Sequence, residues 1–200
     1  MDAMLRHKLR RVADEVVLHV DFRRVLAALE GEHVHLRARE ETDLPRLNAL
    51  FDDPDVLAGL TVPFPQPLEG IREWYEGSRR QEDQIHFVIE TSEGDTIGIC
   101  GLQNIDARSR HAVLGIWIGK AYWDRGYGTD AMRVLCTFGF RHMNLHRITL
   151  HVYEPNQRAR HVYEQLGFRH EGTLRSSQFV DGRHVDEHVM GLLAGELRER

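Results

Sequence analysis

No run of about 18 apolar residues occurs in the chain, and its first residues lack the apolar stretch and small-residue cleavage site of a secretion signal. The expectation is a protein with no membrane span. Cysteine is nearly absent: Cys100 lies in an apolar, strand-like run and Cys136 in a helix-like run. Two such thiols read as reduced core residues rather than a disulfide framework, which makes the expected location cytoplasmic. Positive charge is not in excess either. Against 31 Asp and Glu there are 26 Lys and Arg, a net charge of −5, so there is no global electrostatic case for a nucleic-acid partner. Thirteen histidines would make the chain more cationic in mild acid. None of them falls in a spacing completed by a second ligand pair, and no catalytic metal is expected.

What is present is ordinary for a globular protein: 200 residues, 42% hydrophobic and 28% charged, enough for one domain with a real core and an appendage. Residues 1–32 read as an N-terminal helical extension. Leu5, Leu9, Val12 and Val16 recur at helical spacing, and Val25, Leu26 and Leu29 form a second cluster before Gly31. Residues 16–22 read equally as a strand. The extension is expected to dock on the main domain, residues 33–195, or on a second subunit.

In the main domain, 33–39 alternates as a half-buried strand. Thr42 or Asp43 then caps a helix carrying Leu44, Leu47, Leu50 and Phe51, with Pro45 in its first turn. Residues 60–68 hold three prolines in nine positions and form a loop, whose Val62 and Phe64 either line a substrate mouth or pack on the core. A second helix over 68–80 points Ile71, Trp74 and Tyr75 inward. Strands at 85–91, 96–104 and 112–119, separated by turn signals, make an antiparallel meander. A helix at 129–143 buries Met132, Leu135, Cys136 and Phe138. A strand at 146–153 follows, then a helix capped by Asn156 and stopped by Gly167, and a last strand pair at 168–174 and 185–193. The order β, α, α, β, β, β, α, β, α, β, β predicts an α+β fold with a mixed sheet.

The sharpest motif is AYWDRGYGTDAMR, residues 121–133. Gly126 and Gly128 make a tight turn between a strand and a helix. The first turn of a helix offers unpaired N–H groups and a positive dipole end, which together favour a phosphate. Alone, such a motif is often an ordinary turn. Gly126, Gly128 and Ala131 also fit a dinucleotide fingerprint in which Glu154 ends the next strand. That turn should follow the first strand of a parallel series, however, and here it follows a meander. A P-loop is excluded, since no Gly-Lys-Ser/Thr follows.

Together with NQRARHVYEQLGF and RSSQFVDGRHVDEHVMGLL, the motif GIWIGKAYWDRGYGTDAM resembles the GNAT superfamily of acyl-CoA N-acyltransferases. The likeness is strongest to the branch of ribosomal-protein N-terminal acetyltransferases and spermidine acetyltransferases, and it covers roughly 34–193. It implies a mostly antiparallel sheet, flanked by helices and splayed between the fourth and fifth strands. It also implies acetyl-CoA as acyl donor, with its pantetheine arm bonded to main chain at Ile116, Trp117 and Ile118. Amides of Arg125, Gly126, Tyr127, Gly128 and Thr129 would hold the pyrophosphate, and Asn156 would contact the cofactor arm. Tyr163 matches the tyrosine placed near the thioester sulfur, where a phenol of pKa about 10 can protonate a departing thiolate of pKa about 8.5. Tyr163 also lies on the apolar face of its helix and reads equally as core.

The chain departs from the branch at Val113, where many members carry a glutamate that deprotonates the amine. Glu154, His111 and His151 remain as candidate bases. An α-amine near pKa 8 needs less help than a lysine or polyamine amine near 10, which favours a weakly basic acceptor. The expected reaction is direct acyl transfer to an amine in a ternary complex, with a homodimer through the final hairpin or the N-terminal segment. A non-catalytic acyl-CoA sensor is the alternative that the missing glutamate leaves open.

Overall fold

The computed structural model describes residues 28–60, 62, 64–180 and 182–198. Residues 1–27, which include most of the expected helical extension, lie outside that set. The described chain begins with a turn and an isolated bridge from Glu30 to His35. The core already includes Leu29, 4% exposed.

The elements in order are β1 (Val34–Ala38), α1 (Leu44–Phe51), α2 (Pro54–Ala58), α3 (Leu68–Arg80), β2 (Ile85–Thr91), β3 (Thr96–Asp106), β4 (His111–Ile118), α4 (Tyr127–His142), β5 (Arg147–Tyr153), α5 (Gln157–Leu166), β6 (Arg169–Val180) and β7 (Arg183–Leu193). They build one seven-stranded sheet in the order β1-β2-β3-β4-β5-β7-β6. Every neighbouring pair is antiparallel except β4 and β5. This is the expected α+β mixed sheet with a meander at one side.

Alternation of side chains along each strand separates two faces. One carries Phe87, Cys100, Leu102, Ala112, Leu114, Ile148, Leu150, Met190 and Leu192, packed with Met132, Leu135 and Phe138 of α4 and with Tyr163 and Leu166 of α5. Phe87 meets Phe138 edge-on at 5.7 Å. Truncating a fully buried ring such as Phe138 to alanine costs about 3–5 kcal/mol. The opposite face is covered beside the meander by α1, with Leu47, Val88, Ile99 and Trp117 in contact. Cys100 and Cys136 are free and buried, and burial pushes both thiols well above their ordinary range.

Several expectations need correction. Asp43 does not cap α1 through its side chain. It is only 8% exposed, and Arg37 holds both its oxygens, at 2.7 and 2.9 Å, while it also accepts from the Glu40 N–H. Burial pulls that carboxyl upward, but the bonds from Arg37 and Glu40 outweigh it and leave it below the usual range. Thr42 sits in a 3-10 turn, Glu41–Asp43. A short helix, α2, starts at Pro54, capped by Asp53 accepting from Asp55 N–H at 2.9 Å. At five residues it is too short to carry a periodic signal. Trp74 faces out, 41% exposed, because the Arg39 guanidinium lies over its ring at 4.7 Å and Tyr75 takes the inward place. The last two strands are longer than expected, and α4 starts two residues early.

Candidate active site

The sheet is zipped at one end of the β4–β5 pair and open at the other. Only His111 to Val113 of β4 pair with Arg147 to Thr149 of β5. Yet β4 stays paired with β3 as far as Ile118, and β5 with β7 as far as Tyr153. The two strands therefore diverge into a wedge-shaped gap within a continuous sheet. The alternation of an antiparallel ladder is phased on one side by Gly119 N–H donating to Ile97 at 2.9 Å and on the other by Glu154 N–H donating to Asp186 at 3.0 Å. Main-chain groups of Leu114, Ile116 and Ile118 consequently aim into the gap from β4, and those of His151 and Tyr153 from β5. Trp117, expected to offer its main chain, is phased toward β3, and its ring packs on Phe51 at 5.3 Å. Unpaired backbone inside a sheet calls for a partner; an extended polar arm supplies one.

At the open end the chain leaves β4 through a 3-10 turn, Lys120–Tyr122, and enters α4 at Gly126. Gly126 has φ +81° and is the N-cap, a conformation only glycine adopts without strain. A Cβ on Gly128 would meet only Ile118 Cδ1, at 3.5 Å, so this face of the turn is uncrowded. Among the described residues nothing accepts from the amides of Tyr127, Gly128 and Thr129, the unpaired donors of a helix start. Asp130, in the same turn, is directed away: its carboxylate accepts from the N–H groups of His33 and Val34 at 2.8 and 3.2 Å. The Arg125 guanidinium lies 6.0 Å from the Tyr122 ring, and that of Arg158 lies 3.4 Å from the Trp123 ring. Two cations thus flank an anion-seeking helix end. Trp123 also donates its indole N–H to the Ile118 carbonyl at 2.7 Å.

Helix α5 packs beside α4 on the core face of the sheet. Asn156 caps it, accepting from Ala159 N–H at 3.2 Å, and lies beside Gly59 at the end of α2. An ion pair between Lys120 and Asp55 ties α2 to the end of β4. Tyr163 is 9% exposed and stands beside Phe168, with ring centroids 6.1 Å apart. Burial pushes its phenol up to about 12, against a lowering by Arg158. The group is therefore neutral across the physiological range. Arg158 was missed in the sequence. Its signal was present: a cation in the first turn of a helix opposes the dipole and implies another reason for its position.

The candidate bases lie apart. Glu154 is exposed just past the end of β5, and its backbone carbonyl accepts from the Gln157 amide at 2.6 Å. His111 Nε2 is 2.7 Å from Thr149 Oγ1. His151 Nδ1 is 2.8 Å from Glu187 Oε1, and the other Glu187 oxygen accepts from Ser177 at 2.8 Å and Gln178 at 3.4 Å. Burial raises the Glu187 carboxyl, but these hydrogen bonds prevail and hold it below its ordinary value. Among the described residues no three His, Cys, Asp or Glu converge on a possible metal position, and no helix is long and apolar enough to cross a membrane.

Residues 33–169 match the Acetyltransferase (GNAT) domain. The chain belongs to the GNAT acetyltransferase family. A putative ribosomal N-acetyltransferase of Bacillus subtilis is 30% identical over 83% of this chain and 94% of its own. The spermidine N(1)-acetyltransferase of Vibrio cholerae is 29% identical over 82% of this chain and 95% of its own. Among solved structures, the spermidine N-acetyltransferase of Vibrio cholerae, in complex with CoA and spermine, superposes with a TM-score of 0.77. The two are 28% identical, and the match covers 82% of this chain and 96% of that one. As a GNAT acetyltransferase this chain is an enzyme that uses acetyl-CoA as its donor. The expected branch and fold agree with these findings.

Proposed function

We propose that the chain acetylates a primary amine by direct attack on acetyl-CoA in a ternary complex, the amine belonging to a polyamine or to a protein N-terminus. The observation that carries this reading is the wedge between β4 and β5, with an open helix N-terminus at its mouth. The pantetheine arm adds to the free edge of β4 at Ile116 and at the N–H of Ile118, whose carbonyl Trp123 already engages, like a further strand. The amides of Tyr127, Gly128 and Thr129 take the pyrophosphate, with Arg125 and Arg158 beside it, and Asn156 meets the arm from α5. Tyr163 gives its proton to the departing thiolate; the desolvation that raises the phenol raises a buried thiolate too, so the transfer remains matched. Relatives named as a ribosomal N-acetyltransferase and as a spermidine N(1)-acetyltransferase support this choice of acceptors.

The test is a thiol-release assay with acetyl-CoA over spermidine, spermine, an aminoglycoside and peptides with free or blocked N-termini. Turnover with at least one free amine and none with the blocked peptide is expected. Acetyl-CoA binding without turnover on any amine would instead identify a sensor. The homodimer belongs to the same reading: edge strand β6 exposes Leu174 (47%) and Phe179 (67%), and sedimentation velocity reads the assembly directly.

A further inference from the structure

We infer that His151, held by Glu187, is the general base that receives the proton of the attacking amine; this rests on the acetyl-transfer reading above. Three observations converge on His151. It lies two residues past Thr149, the last β5 residue paired with β4, so it stands where the wedge opens, about 6.6 Å further along the strand. Its side chain is on the face opposite the α4–α5 core, while Tyr163 is on the core face. A proton acceptor and a proton donor thus sit on opposite sides of the gap that the thioester occupies. Third, its imidazole is 41% exposed while the carboxylate it meets is only 10% exposed.

The tautomer follows from the contact. With Nδ1–H donating to Glu187 at 2.8 Å, Nε2 carries the lone pair, and among the described residues no donor meets it. The carboxylate also steadies the imidazolium that forms, as an oriented acid does behind any histidine base. Glu187 is fixed in turn by Ser177 and Gln178 of β6. The rival candidates lack this arrangement: the Nε2 of His111 is engaged by Thr149, and Glu154 is exposed just past the end of β5. Val113, across from Thr149, has no proton-accepting atom.

The step balances without a further reactant. The amine lone pair forms the C–N bond to the thioester carbonyl while Nε2 takes one amine proton. The C–S bond then breaks and the thiolate leaves with the phenolic proton of Tyr163. Imidazolium and phenolate return to neutral by exchanging one proton through water, leaving an amide and the CoA thiol. The charged and titratable groups around His151 are Glu187 from β7, His111 from β4 by way of Thr149, and Tyr153 and the Arg147–Glu171 pair on or beside its own strand. From β6 come Glu171, paired with Arg147, and the uncharged Ser177 and Gln178.

The experiment is the pH profile of kcat/KM for wild type, His151→Gln and Glu187→Gln, with acetyl-CoA affinity measured alongside by calorimetry. His151→Gln is expected to lower kcat about 100-fold with unchanged acetyl-CoA affinity, to lose the acid limb of the profile, and to recover in part with added imidazole. Glu187→Gln keeps the limb but moves it to lower pH, which a merely structural role would not do. A His151→Gln rate within about threefold of wild type at every pH, or an unchanged acid limb, overturns the inference. If Glu187→Gln melts early, the His151→Gln profile and its imidazole rescue decide alone. Absence of turnover in the wild type with every amine would sink the acetyl-transfer reading itself, an outcome distinct from a His151→Gln variant as fast as wild type.

Discussion

The two halves of the sheet that meet at the gap differ in how they are covered. Strands β1 to β4 are packed on both faces, by α4 on one and by α1 on the other, and their polar groups are closed on one another. Arg37 binds Asp43, Glu90 and Thr96 in a single cluster. Strands β5, β7 and β6 are dry on one face only. Their other face carries Thr149, His151, Glu187, Ser177 and Gln178, and β6 is exposed along most of its length. On the proposed reading this is a division of labour: the rigid half supplies an edge and a turn against which a large donor would be registered, and the open half would present titratable groups to a variable acceptor.

The way to break this contrast most forcefully is to unpair the rigid half. Arg37→Ala leaves Asp43 and Glu90 facing each other without their cation; the expected cost is about 3 kcal/mol, read by urea denaturation, with kcat/KM at 25 °C unchanged. A loss of activity without a loss of stability would refute the division. Next comes Gly128→Trp, which fills the uncrowded face of the turn. Acetyl-CoA affinity is expected to fall at least about 100-fold by calorimetry, or about 2.7 kcal/mol, while the fold persists. Tyr163→Phe sharpens the picture further: kcat should fall roughly 30-fold, within the span of general acid catalysis, and acetyl-CoA affinity should be retained.

Acid stability probes the open half more gently. The Glu187 carboxyl is held below its ordinary value, so its stabilising share is present above about pH 4.3 and is lost as the pH falls through the lowered folded value. Glu187→Gln should therefore flatten the decline in unfolding free energy between pH 5 and 3; an equally steep decline would show that the carboxylate is not the group responsible. The smallest effect is expected at Phe179, 67% exposed. Phe179→Ser should stay within about 0.5 kcal/mol of wild type, and a larger loss would mean that this ring is covered in solution.

Legibility in the sequence follows the same division. The meander was readable because a period of two with turn signals specifies neighbouring strands locally, and the caps at Asn156 and Gly167 were readable from single residues with fixed chemistry. Gly126 and Gly128 marked the turn for the same reason. The wedge was not readable from pattern, since it depends on where pairing between β4 and β5 stops, which no local window encodes; it entered through the family resemblance. His151 and Glu187 are 36 positions apart, and their meeting is a matter of register across β5 and β7. Trp74 misled because its helical phase is only one residue from that of Tyr75, and the stacking Arg39 comes from a different element.

Trp123 carries a last consequence. Its indole is clasped between the Ile118 carbonyl and the Arg158 guanidinium, so its emission depends on where that cation rests. An anion that draws Arg158 off the ring changes the light the ring emits. With the pyrophosphate held at the turn as proposed, the molecule would contain its own optical gauge of occupancy there, readable without label or coupled assay.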